Sequence, residues 1–149
     1  MNIREIFSEK RTCFAMTAKN KNGAIDELIN LLVEDGKVND KEVFKNAVLN
    51  REKQISTGIG MGIAIPHGKS SSVNEVSLAF GKSKRGIDYD SFDGKPVHLF
   101  FLIAVPEKSD DVHLKILSQI SRKLMHEDIR KGIMSADDFD ALMEVLDKE

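Results

Sequence analysis

The chain has 149 residues, with 22 Lys and Arg against 24 Asp and Glu and a formal net charge of −2. This length suits one domain, residues 1–149, able to bury a core without staples, and the balanced charge excludes the basic footprint of a nucleic-acid-binding protein. No run approaches the roughly 18 apolar residues of a membrane span, so no membrane insertion is expected, and the one cysteine, Cys13, excludes an internal disulfide.

The opening segment MNIREIFSEK is too charged for a signal peptide. A lone cysteine fits a reducing compartment, so a cytoplasmic protein is expected. Residues 12–18, TCFAMTA, form a short apolar run and predict a strand. Cys13 within it has no Cys-x-x-Cys partner and no adjacent base, and reads as a core residue. Residues 23–36, GAIDELINLLVEDG, place Ile25, Leu28, Leu31 and Leu32 on one helical stripe stopped by Gly36. A second helix is predicted from NDKEVFKNAVLNREK. Asn39 and Glu42 have capping-box spacing, and Val43, Phe44, Ala47 and Val48 form the stripe.

The middle of the chain turns to strands: GIAIPH, VSLAFGKS and the long run VHLFFLIAVP. The last is apolar at every alternate position on both sides and predicts a central strand covered on two faces. The charged run Lys82–Arg85 reads as solvated surface. Ser109 is placed to cap a helix running through DDVHLKILSQISRKLM, with two acids in its first turn. EDIRKGIM and DDFDALMEVLDK close the chain as shorter helices. Helices at both ends around such a strand predict a three-layer α/β sandwich; the pattern does not give the strand order.

The stretch Ser56–Ser70, STGIGMGIAIPHGKS, holds four of the ten glycines. It fails as a P-loop, because Ile63 stands where the first glycine belongs and Pro66 lacks an N–H. The dinucleotide fingerprint fails at the same Ile63. Gly58, Gly60 and Gly62 alternate and would share one face of an extended strand. Pro66 and Gly68 flank His67, which would stand at the abrupt end of that strand, at the rim of the sheet. It is either a plain turn histidine or a presented imidazole. His98 opens the central strand and reads as a satisfied core or edge residue, and His126 as a surface residue. His113 shares a helical face with Leu117, Ile120 and Leu124 and is either a core group or an active-site partner. Arg51 continues the stripe of Phe44, Ala47 and Val48. Its guanidinium either snorkels to water or faces an anion such as a phosphoryl group.

At these residues the chain resembles a known family. REKQISTGIGMGIAIPHGKS, residues 51–70, is similar to the active-site signature of the enzyme IIA domains of the fructose–mannitol–nitrogen class in the bacterial phosphoenolpyruvate:sugar phosphotransferase system. In that signature an Arg-Glu pair leads through Ser-Thr-Gly-Ile-Gly to an apolar stretch ending in Pro-His. The resemblance extends through residues 80–117 and so covers most of the chain. DGKPVHLFFLIAVP is most similar to the fructose-type members.

The resemblance implies an α/β sandwich around a mixed five-stranded sheet. It implies that His67 is the phosphorylated nucleophile and that His113 and Arg51 stabilise the phosphoryl group, with Thr57 or the turn amides adding a hydrogen bond. The donor would be the phosphohistidine of HPr. The acceptor would be a cysteine on a IIB domain, serving a membrane IIC domain downstream. Cys13 does not match that acceptor and stays structural. No cofactor is implied, and no Asp/Glu/His spacing suggests a metal. Two partners that reach His67 in turn require a shallow site with an apolar rim. The alternatives are a nitrogen-type regulator, in which the phosphorylation state of His67 controls binding partners, and a binding module that has lost the chemistry.

Overall fold

The computed structural model describes residues 3–109 and 111–147. In it the apolar run after Pro96 forms strand β6, Val97–Pro106. Its side chains divide by the two-residue period of a strand. Leu99, Phe101, Ile103 and Val105 enter one core cluster; Phe100, Leu102 and Ala104 enter the other. Both faces are dry, which is why the sequence there lacks polar alternation.

The remaining strands are β1 (Thr12–Cys13), β2 (Gly58–Gly60), β3 (Ile63–Ala64), β4 (His67–Ser70) and β5 (Ser77–Ile87). The sheet runs β1-β5-β6-β3-β2, with β4 also paired to β6. It is mixed: β5 is antiparallel to β6, while β3 and β4 are both parallel to it. The expected five strands are six strands in five positions. Ile63 pairs with Leu99 and His67 with Ile103, so β3 and β4 occupy successive stretches of one flank of β6. Pro66 separates them. It has no N–H to give, but its carbonyl accepts from the Ile103 N–H at 2.9 Å. His67 therefore opens a strand rather than ending one.

Helices α1 (Lys21–Glu34) and α2 (Lys41–Gln54) cover one face of the sheet. Helices α3 (Val112–Leu124), α4 (Glu127–Ser135) and α5 (Phe139–Leu146) cover the other. Two short 3-10 turns, Ile3–Ile6 and Glu9–Arg11, precede β1. The three-layer sandwich is the architecture that the doubly apolar strand demands.

Several local expectations change, each for a visible reason. Strand β1 stops after Cys13, because the Glu27 carboxylate accepts from the N–H groups of Thr17 and Ala18 and draws the chain toward α1. The cap of α2 is Asp40, whose side chain accepts from the Val43 N–H; Asn39 pairs instead with Asn74. Val43 is 44% exposed, so the buried stripe is Phe44 and Val48. Asp111 holds the cap position of α3, and the Ser109 N–H is spent on the Pro106 carbonyl in the preceding turn. Asp110, the first of the two expected acids, lies outside the described residues. Lys82 is not solvated: it is 1% exposed, and its ammonium donates to the Met134 and Ala136 carbonyls at the end of α4.

The glycines at 58, 60 and 62 do not line one strand face. Met61 and Gly62, at φ 59° and 78°, turn the chain into a two-residue hairpin between β2 and β3, the conformation such a tight hairpin requires. Gly68 lies within β4, not at a turn. A Cβ there would sit 2.8 Å from Val48 Cγ2 and 3.3 Å from the Val48 nitrogen. Helix α2 therefore rests directly on this glycine.

Gly68→Ala is expected to push α2 off β4 and to lower stability by about 1–3 kcal/mol. Urea unfolding monitored by circular dichroism measures this; an unchanged midpoint contradicts the contact.

Candidate active site

Where α2, β4 and α3 meet, an open cleft of about 510 Å³ lies along the sheet edge. The last turns of α2 bring Asn50, Arg51 and Gln54 to it. Strand β4 brings His67 and Lys69, and the first turns of α3 bring His113 and Leu114. Leu114 is 54% exposed and forms part of an apolar rim. Three of the four residues singled out from the sequence thus line one cleft: Arg51, His67 and His113.

His67 is half-buried. Strand alternation after Ile63 and Ile65 turns its side chain to the α3 side of the sheet. Its Nδ1 lies 3.2 Å from the carbonyl oxygen of Ile65. The His113 ring stands near-parallel to it, with centroids 6.1 Å apart and an interplanar angle of 28°. Nδ1 of His113 is buried and has no hydrogen-bond partner among the described residues. Arg51 donates from Nη1 to the Ile55 carbonyl at 2.9 Å, which bends the guanidinium back over the end of α2. Burial holds the His67 pKa below the usual histidine value, and the nearby Arg51 and His113 act in the same direction.

Thr57 is placed differently from the sequence expectation. It is 5% exposed and does not line the cleft. Its hydroxyl donates to Glu52 Oε2, and its N–H donates to Glu52 Oε1 at 3.1 Å. Glu52 also accepts an ion pair from Lys21 at 3.0 Å, and that ammonium lies 4.6 Å from the centre of the Tyr89 ring. Burial, and then the charge of Glu52, push the Tyr89 phenol well above its ordinary range. This buried knot anchors the segment just after Arg51. In the sequence Glu52 shows only as the second member of the Arg-Glu pair, although the stripe that reaches Arg51 three residues after Val48 reaches Glu52 after four.

The other singled-out residues lie elsewhere. Cys13 is half-buried on β1, at the far side of the sheet, where burial raises its thiol pKa. His98 bonds through Nδ1 to the Ser83 carbonyl at 2.8 Å. His126 is exposed at the start of α4. Among the described residues no His, Cys, Asp and Glu group could hold a metal ion, and no helix is long and apolar enough to cross a membrane.

The chain is 45% identical over 148 residues to the fructose-specific EIIABC component of the phosphotransferase system of Bacillus subtilis strain 168; this covers 99% of the chain and 23% of that protein. It thus spans about a quarter of that relative's length. It is 44% identical over 126 residues to the fructose-specific EIIA component of Haloferax volcanii, covering 85% of the chain and 82% of that protein. Its fold matches the crystal structure of the nitrogen regulatory protein IIA-Ntr from Neisseria meningitidis with a TM-score of 0.89 and 31% identity, over 97% of the chain and 98% of that structure. The family model for the phosphoenolpyruvate-dependent sugar phosphotransferase system, EIIA 2, matches residues 5–149. The α2–β4–α3 cleft therefore belongs to a member of the EIIA 2 family of the sugar phosphotransferase system.

Proposed function

We infer that residues 1–149 act as one phosphocarrier unit. In this reading His67 takes a phosphoryl group from the phosphohistidine of HPr and passes it to a cysteine of a IIB domain, during fructose uptake through a membrane IIC domain. The observation that carries the reading is the cleft itself. A half-buried imidazole, tethered at one nitrogen, faces a second imidazole and a guanidinium, with no carboxylate among the described lining residues.

The nucleophile is Nε2 of His67. Nδ1 donates its proton to the Ile65 carbonyl, which leaves the free lone pair on Nε2. Attack forms the P–Nε2 bond as the P–N bond of the donor breaks, and the donor ring keeps the electron pair. In the second step a thiolate forms the S–P bond, and the pair returns to Nε2. Dividing the transfer in this way is covalent catalysis. Such transfers depend on positioning and charge stabilisation. Arg51 spends one N–H on Ile55 and keeps the rest of its fork for phosphoryl oxygens. His113 lines the cleft beside His67, where its ring can give a second donor to the phosphoryl oxygens. Thr57 acts behind Arg51 through Glu52, without touching the phosphoryl group.

The fructose assignment draws on the two relatives named fructose-specific, at 45% and 44% identity. The regulatory reading draws on the likeness to a nitrogen regulatory protein at 31% identity. The acceptor separates them: transfer to a IIB cysteine supports the carrier, and phosphorylation-dependent binding without transfer supports the regulator.

Intact mass after incubation with phosphoenolpyruvate, enzyme I and HPr is expected to rise by one acid-labile phosphoryl group in the wild type and not in His67→Ala. An unlabelled, folded wild type beside phosphorylated HPr contradicts the reading. Arg51→Ala is expected to slow uptake of the group roughly a hundredfold with little change in thermal midpoint; rapid-quench rates within twofold of wild type would remove Arg51 from the chemistry. Because burial, Arg51 and His113 all disfavour the imidazolium, His67 is expected to titrate below roughly pH 6.5. The uptake rate then stays level as pH falls to about 6.5 and declines only below it. Arg51→Gln moves the midpoint upward. Histidine-selective NMR titration measures both; a wild-type midpoint above that value contradicts the assigned environment.

A further inference from the structure

Lys69 lines the same cleft, two residues beyond His67 on β4. The period of a strand sends both side chains to one face, with Cα atoms roughly 7 Å apart. Gly68 between them faces the opposite way, under α2. Lys69 is exposed, and its side chain has no hydrogen-bond or ion-pair partner among the described residues. Lys53 on α2 and Lys115 on α3 likewise have no side-chain partner among the described residues, but neither lines this cleft. Other lysines of the chain are paired: Lys21 is held by Glu52, Lys37 by Glu75, and Lys41 and Lys45 by Asp26. The cleft offers Lys69 no carboxylate: the lining side chains that can make polar contacts are Asn50, Arg51, Gln54, His67 and His113. An ammonium on a flexible stem, next to a nucleophilic imidazole and unpaired, suits an anion that is present in only part of the reaction cycle.

We propose that Lys69 is a further catalytic residue, whose ammonium binds the phosphoryl oxygens of phospho-His67 from the β4 side while Arg51 binds them from the α2 side. The inference rests on the phosphocarrier reading. Lys69 forms no covalent bond. The donor P–N bond breaks and the P–Nε2 bond forms as before, and the ammonium keeps its three protons while one or two of them turn to the new oxygens. Arg51 is already braced on Ile55, so Lys69 is the cation free to follow the group as it arrives and leaves.

The test is the equilibrium constant for phosphoryl exchange between phospho-HPr and the full chain, read by intact mass of both proteins at several ratios. That constant depends only on the free end states. A lysine that merely helps the two proteins dock changes rates and KM but leaves it unmoved. Lys69→Met is expected to shift the balance toward phospho-HPr by roughly three- to tenfold, as befits the loss of one charge-assisted contact at an exposed site. Lys69→Arg is expected to restore at least half of the shift in log K. Lys69→Gln gives a second neutral variant, and thermal unfolding verifies that each is folded. A wild-type constant retained in both neutral variants overturns the role of Lys69 alone. A wild type that takes no phosphoryl group overturns the phosphocarrier reading and this inference with it.

Discussion

Helix α2 lies against strand β4 at Gly68, and this contact sets the distance between the two sides of the cleft. A Cβ at that position would meet the backbone nitrogen of Val48, so the helix approaches as closely as a strand allows. The last turn of α2 then carries Arg51 over the edge of the sheet to the side where His67 emerges. The same strand fixes His67. Pro66 interrupts the flank of β6, and pairing resumes with His67 opposite Ile103. Among the described residues no other strand pairs with β4, so its outer flank stays open and the site is a rim rather than an enclosed chamber.

Beneath the rim lies a second layer of constraint. The Glu52 carboxylate collects an ammonium, a hydroxyl and an amide N–H at the end of α2. A buried carboxylate with fewer partners would be costly; with these it ties α1, α2 and β2 together behind the guanidinium of Arg51. The cleft above contains amides, imidazoles, a braced guanidinium and a free ammonium and, among the described residues, no acid. Negative charge is thus kept below the floor and out of the space that an anion would occupy. This division of charge is what the proposed phosphoryl chemistry calls for.

The sheet core was legible because its rule is periodic. The run from Val97 to Pro106 announces a two-sided strand, and both clusters receive alternate residues of it. Helix α1 followed from its stripe for the same reason. What could not be read depends on remote partners. Lys82 looks like a surface cation, but it is buried because it finds the Met134 and Ala136 carbonyls and the Asp137 carboxylate at the end of α4. Asn39 and Asp40 offer equivalent caps in sequence, and only the pairing of Asn39 with Asn74 decides between them. The glycine alternation misled because φ above zero at Met61 and Gly62 folds the segment back on itself. Within the site, Arg51, His67 and His113 stood out as polar groups at inward or constrained positions. Thr57 did not follow them, because its hydroxyl had a nearer acceptor in Glu52.

The central claim is that backbone bonding selects the reactive nitrogen. Long-range proton–nitrogen correlation spectra of the phosphorylated, uniformly 15N-labelled protein test it most directly, because they distinguish a phosphorus bond at Nε2 from one at Nδ1. The account predicts phosphorus on Nε2 of His67, with Nδ1 still protonated and donating to the Ile65 carbonyl. Phosphorus on Nδ1 would contradict it, since the tether seen here would then have to break before the reaction begins.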